Sequence, residues 1–118
     1  MRRPGLFLTA ATLVLGLAAP AWSQAPQPLR IGIIGPFTGP SADFGTPMLQ
    51  GAQLAVDEIN AVGGYLGRKI ELVVKDDTAN PDVGFQRSLE LAKERVVATI
   101  GFCNTGVAMK ALEVYQNA

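Results

Sequence analysis

Leu29-Arg30-Ile31-Gly32-Ile33-Ile34-Gly35-Pro36, running on into Phe37-Thr38-Gly39-Pro40-Ser41, is the stretch that decides how this chain folds. From Leu29 to Ile34 it is short, nearly continuous in apolar side chains and rich in β-branched residues (Ile31, Ile33, Ile34), and Gly35-Pro36 stops it. A strand with one wet face alternates apolar and polar residues. A run of this kind instead suits a strand covered on both faces, as in a parallel sheet.

Reading outward, the turn-rich residues Pro36 to Ser41 lead into a helix established by Pro47, a residue suited to a first turn. Leu49, Ala52, Val56 and Ile59 share one face of it at spacings of three and four, and Gly63-Gly64 closes it. Lys69 to Lys75 reads as a second strand, with Ile70, Leu72 and Val74 on one face. After a loop from Asp76 to Asn80, Asn80 is placed to cap a helix with Pro81 at its first position. That helix is expected to reach about Arg95 and to bury Phe85, Leu89 and Ala92. Val96 to Phe102 makes a third strand. Asn104-Thr105-Gly106 opens a third helix with Ala108, Ala111, Leu112 and Tyr115 inward. The order βαβαβα predicts an α/β fold: a three-layer sandwich of parallel strands joined by right-handed crossovers.

Open parallel sheets hold ligands beyond the carboxyl ends of strands where the strand order reverses. With order 2-1-3 that crevice lies between the first and third strands. The loops Gly35 to Gly45 and Gly101 to Gly106 leave those strands and run into helix N-termini, where unpaired amides and the helix dipole favour an anion. A small carboxylate is the natural guest. The same Gly and Thr residues serve equally as plain turns and caps, so spacing by itself leaves both readings open. Asp76-Asp77 reads as solvated charge at a strand end and helix start rather than a metal site. Cys103 is expected to be a small buried side chain, and Glu90, Lys93 and Glu94 a solvated helix face. Gly32 to Gly39 does not form a G-x-G-x-x-G fingerprint, and G-x-S-x-G does not occur.

Composition narrows the function further. The 118 residues contain no His, which excludes a Ser-His-Asp triad and a His metal site, and one Cys, which excludes an internal disulfide and a Cys-cluster zinc site. Ten basic side chains balance ten acidic ones, so no polybasic face invites nucleic acid. Arg2-Arg3, the uncharged run Leu6 to Ala19, Pro20 and then Ala21-Trp22-Ser23 form a secretory signal over residues 1–23, too short in its apolar part to span a membrane. Cleavage before Gln24 takes two of the ten basic residues with it and leaves the chain slightly acidic. Residues 24–28 follow as a mobile leader, and the location expected is the periplasm.

Four ordered segments cover nearly everything after that leader: Ile31 to Pro40, Gly51 to Asn60 with Gly63-Gly64, Asp76-Asp77-Thr78-Ala79-Asn80-Pro81, and Ile100-Gly101-Phe102-Cys103-Asn104-Thr105-Gly106. Together they resemble the periplasmic leucine/isoleucine/valine-binding family. The resemblance implies a type I periplasmic binding fold, in which two α/β lobes close around a ligand. It implies a solute-binding component of an ABC importer for branched-chain or related amino acids or small carboxylates, working with a permease in the inner membrane, with no cofactor and no catalysis. It further implies that the Thr105 hydroxyl, with backbone of Asn104 and Gly106, holds the ligand carboxylate. It implies too that Phe44 packs over the ligand, and Ser41 is a candidate on loop position only. The disulfide that some members carry near Cys103 has no second Cys here. A ligand sensor of the same fold, coupled to a regulator or kinase, is the alternative.

Members of the family are several times longer, and the residues that grip the ligand's ammonium lie beyond the matching part. Residues 29–118 are therefore expected to be part of an amino-terminal lobe. Its third strand would present a bare edge, and a three-stranded core of this size is near break-even between burial and chain entropy. By itself the chain is expected to fold poorly or aggregate, and not to bind ligand measurably.

Overall fold

The apolar run that opens the sequence becomes the middle of a three-stranded sheet. In a computed structural model describing residues 25–117, β1 (Leu29–Gly35) lies between β2 (Ile70–Asp76) and β3 (Ala98–Ile100), parallel to both. The signal peptide expected over residues 1–23 lies outside the described residues. Leu29 to Gly35 pair with Ile70 to Asp76, and Ile31 to Ile33 with Ala98 to Ile100. Three helices complete the order βαβαβα: α1 (Ala42–Ala61), α2 (Pro81–Lys93) and α3 (Thr105–Gln116). Order β2-β1-β3 is the one under which the crevice falls between the first and third strands, and it puts Ile33 and Ile34 out of solvent on opposite faces.

Which helix faces turn inward differs from the apolar-stripe reading. In α2 the buried residues are Gly84, Ser88 and Leu91, not Phe85, Leu89 and Ala92, which are half-buried. Glycines cause the rotation. The Leu91 methyl carbons fill the space over Gly32, 3.0 Å from where a β-carbon there would sit. At Gly84 the Val107 side chain lies 2.3 Å from the corresponding point. The helices seat where backbone is uncovered, and the larger side chains are displaced sideways. There they line a cavity of about 320 Å³ with Glu113, Val114 and Asn117. In α3 likewise Val107, Ala111 and Val114 are buried, while Leu112 is exposed.

Other boundaries shift for local reasons. α1 begins at Ala42, so Pro47 stands inside the helix and not in its first turn. The Ala42 amide already bonds Gly39 O at 3.1 Å and the Phe44 amide bonds Ser41 O at 3.1 Å, which starts the coil early. Val56 is the deepest apolar side chain of α1, and Ile59 is exposed. In β2, an outer strand, Val73 rather than Val74 is buried, against Ile34 and Leu91. β3 shrinks to three residues, and Val97 contributes one further bond, from its amide to Arg30 O at 2.8 Å. Val97 and Ile100 at β3 are exposed, as are Met109 and Leu112 of α3.

Asn80 caps α2 as expected, accepting from the amides of Asp82 and Val83. Glu90 and Glu94 do not form a purely solvated face. Lys75 Nζ reaches Glu94 at 2.6 Å and Glu90 at 3.1 Å, and Arg30 reaches Glu94 at 3.1 Å. Hydrogen bonds that Lys75 donates to Glu94 and then Glu90 hold its ammonium above its ordinary value, and the same contacts hold both glutamates below theirs. This network ties the end of α2 to β1 and β2.

Candidate functional site

Two bends share the carboxyl rim of the sheet because β1 and β3 are neighbours and parallel. Residues 36–41 follow β1 and enter α1; residues 101–104 follow β3 and enter α3. Phe44 and Thr105, named from sequence, therefore lie on one rim. Phe44 is in the first turn of α1 and 72% exposed, a large ring on the surface with no core role.

The two helix starts differ in charge. An α-helix leaves its first amides without intrahelical partners, and the dipole adds positive potential there. The first turn of α1 already carries Asp43, which repels an incoming anion. The first turn of α3 has no acidic residue, and its N-cap residue, Asn104, spends no side-chain hydrogen bond on the helix. Thr105 and Gly106 are exposed. An anion is consequently better received at Asn104-Thr105-Gly106. Ser41, the N-cap residue of α1, is half-buried and also makes no capping bond.

The first bend is fastened from below by a residue the sequence reading set aside. Asp76 Oδ1 accepts the amides of Phe37 and Thr78, each at 2.9 Å, and Oδ2 accepts the Thr38 hydroxyl at 2.5 Å. Partial burial works against its ionisation, but the Thr38 hydroxyl and the amides of Thr78 and Phe37 outweigh this and hold the carboxyl below its ordinary value. Gly45 lets the bend fold back on α1: a β-carbon there would stand 2.2 Å from the Pro36 carbonyl oxygen.

Asp77 reverses the solvated reading altogether. It is wholly buried at the end of β2. Its Oδ1 accepts the Ala79 amide at 2.8 Å, and its Oδ2 has no partner. Burial pushes its carboxyl up, the Ala79 amide pulls it down, and the Asp76 charge pushes it up again. Cys103 is an exposed residue rather than a buried one; partial burial of its thiol, and then the charge of Asp77, push it up. The signal for both aspartates was their position at a strand end before an N-cap, which sequence cannot separate from ordinary surface charge. Among the described residues, no group of three His, Cys, Asp or Glu side chains is placed to hold a metal ion.

Comparison with known proteins places this arrangement. The model of the periplasmic binding protein family matches residues 28–118. A Leu/Ile/Val-binding protein, BraC3, of Rhizobium johnstonii is 38% identical over 104 residues, covering 88% of this chain and 28% of the relative. Among solved structures, the branched-chain amino acid transporter substrate binding protein LivJ of Streptococcus pneumoniae, in complex with isoleucine, is 34% identical with a TM-score of 0.73. The match covers 76% of this chain and 26% of that one. An ABC transporter solute binding protein of R. palustris in complex with benzoate is 26% identical with a TM-score of 0.67, over 76% of this chain and 25% of that one. The chain spans between a quarter and a third of the length of these relatives.

Proposed function

We propose that this chain, which belongs to the periplasmic binding protein family, supplies part of the amino-terminal lobe of a solute-binding component of an ABC importer. The guest is a branched-chain amino acid or a related small carboxylate, and the bend Asn104-Thr105-Gly106 receives its carboxylate. Phe44 covers the ligand from the neighbouring bend, with Ser41 beside it. The role is binding without covalent chemistry: ligand stabilises a closed form of two lobes, and that form is presented to a membrane permease. Residues 1–23 direct the protein to the periplasm and are removed.

One observation carries the reading. Two helix-starting bends stand on the same rim of adjacent parallel strands, and only one of them leads into a helix with no acidic residue in its first turn. That the R. palustris relative is in complex with benzoate, a carboxylate without an ammonium, supports counting such carboxylates among the guests.

The test grafts residues 24–118 onto the remainder of a Leu/Ile/Val-binding relative and titrates leucine, isoleucine, valine and benzoate by calorimetry. Binding of at least one is expected. Thr105→Val should weaken it by roughly 10- to 100-fold, the worth of one hydrogen bond to a charged group, about 1.5–3 kcal/mol. A folded chimera that binds none of them, or that is indifferent to Thr105→Val, contradicts the assignment.

A further inference from the structure

Phe44 is 72% exposed, so side-chain packing does little to hold its ring, and its place is set by the backbone of the first turn of α1. That turn is not secured by its own cap, because the Ser41 side chain makes no capping bond. What holds it comes from another element. Asp76 ends β2, where it stands opposite Gly35 in the ladder with β1, and the Asp77 amide extends the pairing to Gly35 O at 3.0 Å. The Asp76 carboxylate is aimed by its own loop, whose Thr78 amide donates to Oδ1. From that fixed base the same oxygen takes the Phe37 amide, and Oδ2 takes the Thr38 hydroxyl. The Phe37 ring carries the constraint onward. Its Cε1 lies 3.4 Å from where a Gly35 β-carbon would sit, and its Cδ1 lies 3.1 Å from the corresponding point at Gly45, the residue next to Phe44. The ring is thus wedged between the end of β1 and the start of α1.

We infer that Asp76 is a positioning residue for the ring that covers the guest: seated in the β-ladder, its carboxylate sets Phe37, and Phe37 sets the first turn of α1 and with it Phe44. A side chain that is still unplaced when a guest arrives must give up conformational freedom on binding, and one already placed gives up less. Asp76 acts through Phe44 and not on the guest. A carboxyl group suits the task because its two oxygens accept three donors from two different loops. That the placing serves binding rests on the reading that Phe44 covers the guest; the placing itself does not.

The test uses the folded chimera of residues 24–118 with the remainder of a Leu/Ile/Val-binding relative, and whichever of leucine, isoleucine, valine and benzoate it binds. Asp76→Ala should weaken that binding by roughly 10-fold, within the range over which residues of one network couple. In a Phe44→Ala background the same change should cost little further, since a ring that is gone cannot be misplaced. Asp76→Asn should recover most of the loss: its carbonyl oxygen accepts both amides, and its amide group donates to the Thr38 hydroxyl. Without a guest, amide exchange at Phe44 should accelerate in Asp76→Ala relative to Ala111, in the middle of α3. Where Asp76→Ala does not fold, Thr38→Val, which removes only the bond to Oδ2, should show both effects at smaller size. Unchanged affinity, an equal loss with and without Phe44, Asp76→Asn no better than Asp76→Ala, or equal acceleration at Phe44 and Ala111 would each overturn the inference. A parent chimera that binds no guest overturns the transport reading instead, and the exchange ratio then decides the placing of Phe44 by itself.

Discussion

In trimethylamine N-oxide sufficient to fold residues 24–118, Leu91→Ala is expected to abolish their cooperative unfolding in urea. Leu91 is fully buried, joins Ile34 and Val73 in the core cluster, and fills the space over Gly32. Emptying such a position costs about 2–5 kcal/mol, from lost transfer energy and from the cavity left behind. A unit of this size rarely has more than about 3–5 kcal/mol to lose. The cavity cannot close cheaply, because the neighbour across it is the β1 backbone at Gly32 and not a flexible side chain. Urea titrations of residues 24–118 in trimethylamine N-oxide, followed by circular dichroism, measure this directly. Leu54→Ala, an exposed position in α1, is the control and should reproduce the parent curve. A Leu91→Ala midpoint close to the parent would show that α2 does not seat on the sheet as described.

Gly45→Ala is expected to destabilise the chain by about 1–3 kcal/mol, and to do so by moving the first rim bend. The new methyl group would meet the Pro36 carbonyl, which is backbone and cannot rotate aside. Either α1 withdraws or the bend 36–41 lifts, and lifting breaks the bond from the Phe37 amide to Asp76 Oδ1. Amide exchange at Phe37 should therefore accelerate together with the loss of stability. The same substitution two turns along has the opposite sign. Gly51 lies in α1 with open space around its missing β-carbon, so Gly51→Ala should stabilise by roughly 0.5–1 kcal/mol through helix propensity alone. Equal effects at the two glycines would refute the close approach at Pro36.

The two glycines also show how far the sequence could be read. Both lie in one helical segment and look alike as letters; only the folded chain makes one a contact point and the other a weak spot. The apolar stripe Phe85, Leu89, Ala92 fails for the same reason. Helical spacing identifies a face by side-chain size, whereas α2 is seated by the absence of side chains at Gly32 and Gly84. Asp76 and Asp77, adjacent and chemically identical, separate into a fastener whose hydrogen bonds favour its charge and a buried acid whose surroundings oppose it. Pro81, by contrast, was legible in advance, since its fixed φ and missing amide suit a first helical position whatever surrounds it.

What the residues determined unaided were the quantities that depend on near neighbours in the chain. These are the both-faces-covered strand at Ile31 to Ile34, the helix start at Asn80-Pro81, the alternation that forces parallel crossovers, and the two bends before α1 and α3. Tertiary structure alone decided the order in which α2 and α3 turn their faces, the burial of Asp77, and the exposure of Cys103. The physical reason is range. Local backbone preference is fixed within a turn or two of sequence, but burial and charge stabilisation belong to groups that meet only when strands and helices far apart in the chain have packed.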